Sequence, residues 1–299
     1  MSPPIVPIRE YLLLGLLAVL WGSSYLFIRI AVAEIPPVTL IALRVAGAAL
    51  VLSLVLVARG RRLPRGAGIW ARLGLQSILN SIGAWTVLAW GQQFVGAGLA
   101  SVLNSTSPLF VVLITAFITR HEALAWRRAL GALVAFGGVI LIIGMDALAG
   151  FGDAVAGQLA CLAGAALYAF AAIHGRRFKA IGALETALGT MTWATVVLVP
   201  LAFVLEDPLA LRPGLTALGA TLILSVFCTG CALLIYFRLL GTIGALGTAS
   251  QAYLRAGIGV LLGAIILGEV PTWPVLIGLT AAIVGVILIV APARRKMSP

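Results

Sequence analysis

Residues 122–143 and 269–290 are two copies of one segment, set 147 positions apart. The first reads EALAWRRALGALVAFGGVILII and the second EVPTWPVLIGLTAAIVGVILIV. Glu122/Glu269, Trp126/Trp273, Gly131/Gly278, Ala135/Ala282 and the run Gly138–Ile142 against Gly285–Ile289 are identical, nine positions of 22. Each copy contains the fifth apolar span of its half of the chain. An odd number of crossings per repeat turns the halves upside down relative to each other. That is the symmetry of alternating access, with a substrate site near the bilayer midplane.

Composition names the solvent. The chain is 62% hydrophobic and 10% charged. A helix rises about 1.5 Å per residue, so roughly 20 apolar residues cross about 30 Å of hydrocarbon. Ten runs are expected to do so: 9–33, 36–58, 69–94, 97–119, 128–146, 155–175, 183–205, 214–239, 244–268 and 273–291. The continuous apolar runs exclude a barrel, whose strands alternate in polarity. The first run is too long for a cleaved leader and is followed by no soluble domain. The expected fold is an all-α integral membrane protein of two five-helix units, 1–146 and 155–299, joined by a short loop.

The net charge of +11 is not a nucleic-acid signature, because of where it sits. Sixteen of the 20 basic residues lie in or beside alternate loops, one (Arg212) lies in the opposite loops, and Arg29, Arg44 and Arg255 lie inside spans. The Lys/Arg bias places both termini in the cytoplasm. Six of the nine acids fall on the other face: Glu34, Asp146, Asp153, Glu206, Asp207 and Glu269. Cys161, Cys228 and Cys231 lie in apolar runs without His or acid partners at metal spacing, so they read as packing residues. No metal or cofactor is expected, and no phosphate-binding Walker loop couples the chain to ATP. No nucleophile–base pair or HExxH stands at membrane depth, which argues against an enzyme.

The segments LWGSSYLFIRIAV (20–32), ALRVAGAAL (42–50) and ASVLNSTSPLFVVLITAF (100–117), with the duplicated Glu-plus-GGVILI block, resemble the EamA-type members of the drug/metabolite transporter superfamily. The resemblance covers essentially the whole chain and is closest to bacterial inner-membrane exporters of amino acids, including aromatic ones. It implies a basket of ten helices around a cavity formed by spans one, three, four, six, eight and nine, with spans five and ten peripheral. One departure stands out: Pro108 is matched 147 residues later by Arg255, where relatives often repeat the proline.

A carrier site must replace water around the polar ends of its substrate at a depth where lipid offers nothing. The polar mid-span residues Asn80, Asn104 and Gln251 are therefore candidates, Asn104 and Gln251 being repeat equivalents. Each fits either a ligand contact or an interhelical hydrogen bond. Pro108 frees the Asn104 carbonyl for a ligand or a neighbouring hydroxyl. Arg255 lies mid-span with no acid at its depth, which points to a wet cavity and a substrate carboxylate, or to a structural arginine held by helix-end carbonyls. Trp21, Trp85, Tyr168 and Tyr253 fall on the cavity helices and can stack on a ligand or pack the core. Trp21 and Tyr168 are repeat equivalents. Arg29 and Arg44 match basic positions of the family pattern, which implies gating or structural roles. Arg29 can also reach the interface or Glu34. Glu122 and Glu269 end equivalent helices on opposite faces and are expected to cap or pair there.

The expected function is outward movement of small zwitterionic metabolites, most of all amino acids, through the inner membrane by a monomer or weak homo-oligomer. With no intramembrane carboxylate to carry protons, transport is expected to be facilitative or weakly coupled. The alternative is a drug or metabolite exporter driven by proton antiport; an organic cation, however, wants a buried counter-charge that the spans lack.

Overall fold

The computed structural model describes residues 7–115, 126–148, 152–178, 181–243 and 251–290. Among the described residues all regular structure is helical. The first half contains α1 (Ile8–Val32), α2 (Pro37–Ala58), α3 (Ala67–Ser77 continuing through Ile78–Ala84 to Trp85–Gly91), α4 (Ala97–Asn104 and Ser107–Leu113) and α5 (Trp126–Leu148). The second contains α6 (Asp153–Gly175), α7 (Ala183–Leu205), α8 (Leu215–Ser225 through Val226–Cys231 to Ala232–Thr242), α9 (Gln251–Leu267) and α10 (Trp273–Val290). Where both ends of a rod are described, they fall within about three residues of the hydropathy boundaries, as expected when composition alone limits the span.

Among the described residues, five helical stretches are long and apolar enough to cross a membrane: Ile8–Val32, Pro37–Ala58, Asp153–Gly175, Ala183–Leu205 and Leu215–Tyr236. The outer surface is apolar as well as the core, and a set of small polar side chains is buried among the helices. Leu54, Val57, Val204 and Ile265 are 62–78% exposed, whereas Ser77, Ser81, Gln92, Ser101 and Thr106 are fully buried. Apolar side chains facing outward and polar ones inward suit hydrocarbon as solvent.

Packing repeats with the sequence. α2 lies along α7, and α5 along α10; α1 packs on α8 and α9, as its equivalent α6 packs on α3 and α4. The α5–α10 contact is reciprocal at residue level. A methyl on Gly285 would fall 2.5 Å from the Gly131 carbonyl oxygen, and one on Gly138 would fall 3.1 Å from that of Gly278. Gly131 is equivalent to Gly278 and Gly138 to Gly285, so each contact maps onto the other. Two antiparallel helices exchanged this way have a local two-fold axis perpendicular to both. Glycine is needed here because the backbones approach too closely for a Cβ.

Candidate functional site

Two departures from α-helical geometry place the polar side chains at the centre. Ile78–Ala84 in α3 and Val226–Cys231 in α8 are π-helical, and adding 147 to 79–84 gives 226–231. A π turn inserts a residue and turns the following side chains to a new face, and such turns gather at functional sites. In α8 the Thr229 hydroxyl donates to the Leu224 carbonyl five residues back at 2.8 Å, following the π register. The same oxygen accepts the Nε–H of Arg44 at 2.9 Å.

The second departure is the break in α4. Ser105 and Thr106 take shallow turn conformations, with ψ −7° and −1°, before Pro108 enters the next helical piece. Proline has no N–H for the carbonyl four residues back. The Ser107 hydroxyl donates to that Asn104 carbonyl at 2.8 Å, and the Thr106 and Ser105 hydroxyls donate to the carbonyls of Leu103 and Ser101. Of the two partners expected for the freed carbonyl, a neighbouring hydroxyl is present.

Around these breaks lies a buried polar cluster drawn from both halves. The Arg44 guanidinium sits 3.9 Å over the Trp85 ring, and the Trp85 indole N–H donates to the Tyr168 hydroxyl. Thr229, Arg44, Trp85 and Tyr168 therefore link α8, α2, α3 and α6. A cation held over an aromatic face away from water is worth up to about 2 kcal/mol. Arg44 is 5% exposed, and the described ion pairs, Arg61–Glu185 and Arg238–Glu10, lie at the helix ends. Beside this chain Asn104 Nδ2 donates to the Tyr25 hydroxyl at 2.6 Å, and Gln92 Nε2 donates to the Tyr25 carbonyl at 2.8 Å.

Several atoms here want a partner. Asn104 Oδ1, Gln92 Oε1, Gln251 Oε1 and Arg255 Nε are buried without a hydrogen bond among the described residues. An orphaned buried polar atom costs about 1–3 kcal/mol, so each is unfavourable until a ligand or water reaches it. Gln251 and Arg255 stand four residues apart on α9 and share a face. The Ser101 hydroxyl donates to the Ala256 carbonyl at 3.1 Å, and Asn104 follows Ser101 by one turn on α4. Asn104 and Arg255 are thus at neighbouring levels on helices that touch.

The other sequence candidates are dispersed. Trp21 packs 5.3 Å from the Tyr236 ring, in a cluster with Leu17 and Leu239, one turn from Tyr25. Its repeat equivalent Tyr168 reaches the central chain, so the symmetry of sequence is not kept by these side chains. Asn80 lies within the π turn of α3 and donates to the Ser81 hydroxyl at 3.1 Å. Tyr253 belongs to α9, but its side chain lies outside the described residues, as does the whole of Glu122. Thr229 and Gln92 were not singled out by sequence. Their one signal, an uncharged polar side chain within an apolar run, is shared with many hydroxyls that only bond their own helix.

At one end of the bundle, carboxylates bind helix starts in the opposite half. Glu269 accepts the Ala97 and Gly98 N–H groups at 2.6 and 2.9 Å, and Glu206 accepts those of Val38 and Thr39 at 2.9 and 2.6 Å. Glu34 accepts the Gly214 N–H at 2.6 Å. Each places negative charge where the helix dipole is positive and unpaired N–H groups point. Arg29 does the converse, donating to the carbonyls of Gln92 and Gln93 at the end of α3. Its guanidinium is held by that helix end, and Glu34 is engaged elsewhere.

Comparison with known proteins places this architecture. The sequence profile described as the EamA-like transporter family matches twice, over residues 8–144 and 155–291. The uncharacterized inner membrane transporter YedA of Escherichia coli K12 is 28% identical over 255 residues, spanning 85% of this chain and 81% of its own. A protein of Streptantibioticus cattleyicolor named as a probable terminal-alkyne amino-acid exporter is 26% identical over 276 residues, 92% of this chain and 91% of that one. A crystal structure 20% identical in sequence shares the fold with a TM-score of 0.66, covering 96% of this chain and 99% of its own. Matched in both halves and bearing the all-helical, two-repeat architecture, the chain is a multi-pass membrane transporter belonging to the EamA-like transporter family.

Proposed function

We propose that this protein exports small zwitterionic metabolites, foremost amino acids, across a bacterial inner membrane by alternating access. The halves would lie inverted in the bilayer with ten crossings in all and both termini in the cytoplasm. The observation that carries the substrate class is the set of orphaned atoms on α4 and α9. Among the described residues Arg255 Nε–H has no acceptor, whereas Asn104 Oδ1 and Gln251 Oε1 have no donor. A zwitterion supplies both: its carboxylate meets the guanidinium, and its ammonium N–H groups meet the amide oxygens. Trp85 and Tyr168 supply aromatic surface beside them, with Tyr253 on the same helix as Arg255; Trp21 and Asn80 would act from the periphery of the cavity.

No carboxylate is described in the central cluster, which favours movement down the substrate gradient over obligatory proton exchange. Rocking would break the carboxylate–helix contacts at one end while the Arg61–Glu185 and Arg238–Glu10 pairs hold the other, and then the reverse. The similarity to an amino-acid exporter agrees with this reading. Counterflow of radiolabelled amino acids into proteoliposomes tests it, with and without an imposed proton gradient. Saturable exchange in the parent, independent of the gradient and lost in Asn104→Ala, is expected. Absence of amino-acid exchange, or exchange that stops without a proton gradient, contradicts it.

A further inference from the structure

The chain carries a second charged site, about 22 Å along α2 from Arg44 at 1.5 Å per residue. The sequence Ala58-Arg59-Gly60-Arg61-Arg62 ends α2 in a Schellman turn. Gly60 has a φ of 61°, its N–H bonds the Val57 carbonyl at 2.9 Å, and the Arg61 N–H bonds that of Leu56 at 3.1 Å. Glycine takes this left-handed conformation without a Cβ penalty. The turn sets Arg59 and Arg61 on the wall of a cavity of about 490 Å³ between the ends of α2, α7 and α8. Arg238, Ala183, Leu184, Leu234 and Ile235 complete its lining.

Charge counting narrows the occupant. Arg61 pairs with Glu185 at 3.2 Å, and Arg238 with Glu10 at 2.7 Å. Arg59 has no partner among the described residues. Three positive charges against two negative leave one in excess, which suits a monoanion. The lining joins guanidinium groups to aliphatic side chains, which suits an amphiphile. A soluble phosphate dianion would remain half compensated and leave the aliphatic part uncovered.

We propose that this cavity binds an anionic phospholipid, its phosphodiester held by Arg59 with Arg61 and Arg238 alongside, and its first acyl carbons against Leu184, Leu234 and Ile235. Basic pockets between membrane helices near the interface recognise such headgroups, and the guanidinium fork matches two phosphate oxygens at once.

The test uses the full chain, delipidated in neutral detergent. Native mass spectrometry and thermal melting compare phosphatidylglycerol with phosphatidylcholine of the same acyl chains. The parent is expected to retain phosphatidylglycerol in preference and to melt higher with it. Arg59→Gln, which removes no described hydrogen bond, should weaken phosphatidylglycerol binding about five-fold, the scale of one basic residue at an anionic surface. Its melting without lipid should be unchanged. Equal retention of both lipids by the parent, or undiminished phosphatidylglycerol binding in both Arg59→Gln and Arg59→Glu, overturns the proposal. Equal protection by glycerophosphoglycerol, which has the same phosphodiester headgroup and no acyl chains, overturns the lipid as occupant. None of these readouts requires transport, so failure of amino-acid counterflow leaves them intact.

Discussion

Asn104 donates its amide N–H to the Tyr25 hydroxyl at 2.6 Å, joining α1 to α4 one turn before the Pro108 break and leaving Asn104 Oδ1 buried with no partner among the described residues. The pair separates two roles that sequence left undivided: the donor holds the bundle, and under the proposed function the acceptor takes cargo. Tyr25→Phe removes only the holding bond. It is expected to lower transport less than about ten-fold, the range of one neutral hydrogen bond of ~1 kcal/mol. Asn104→Ala removes both and should reduce counterflow well beyond that. Initial rates across a substrate series measure the difference; equal losses in the two variants would return Asn104 to a purely structural role.

Thr229 is expected to matter for stability more than its size suggests. Thr229→Val keeps the shape but leaves the buried Arg44 Nε without its 2.9 Å acceptor. Orphaning a buried charged donor costs about 1–3 kcal/mol or more, so a lower melting temperature in detergent is the expected result. Arg44→Lys should not substitute, because an ammonium lacks the flat face that lies over Trp85. A parental melting curve for either variant would refute this account of the cluster.

The α5–α10 contact contains its own control. A methyl on Gly138 would meet the Ala281 Cβ at 2.8 Å, whereas one on Gly137 would have nothing within 4 Å. Gly137→Ala should be neutral or stabilising by up to about 1 kcal/mol through helix propensity. Gly138→Leu should destabilise by about 1–3 kcal/mol through overpacking. Melting curves of the two adjacent variants decide it, and matching shifts would count against the close approach.

Glu269 should resist isosteric neutralisation poorly. Glu269→Gln keeps one acceptor oxygen for the Ala97 and Gly98 N–H groups and loses the charge at the start of α4. A stability loss of about 1 kcal/mol is expected, the usual scale for a carboxylate at a helix N-terminus, and it should shrink in high salt. A salt-independent loss would show that the missing second acceptor, with an amide NH2 set against one of the two N–H groups, sets the effect instead of charge.

What was legible in the sequence followed from the bilayer. Hydrocarbon demands about 20 apolar residues per crossing, so α7 could be read as 183–205 directly. The offset of 147 foretold that Gly131 and Gly138 have counterparts, though not that each would touch the other's equivalent. The π turns were illegible, since one inserted residue leaves hydropathy unchanged, and they decide that Thr229 faces Arg44. Long-range partners were equally hidden: Arg29 had Glu34 nearby in sequence, yet the carbonyls of Gln92 and Gln93 lie within its reach. Single polar residues in apolar runs mark a region; which of their atoms stay unpaired depends on contacts such as Asn104–Tyr25 that join separate spans.

The proposed function assigns Arg255 to a substrate carboxylate and the amide oxygens of Asn104 and Gln251 to its ammonium. Its most direct measurement is competition in counterflow between an amino acid, its carboxamide and its N-acetyl derivative, in the parent and in Arg255→Gln. In the parent both derivatives should compete at least about ten-fold more weakly, since a hydrogen bond to a charged group is worth about 1.5–3 kcal/mol. In Arg255→Gln the amino acid should fall to the level of its carboxamide, and the N-acetyl penalty should persist. A carboxamide that competes as well as the amino acid in the parent, or an unchanged ratio in the variant, would contradict the assignment of Arg255 to the substrate.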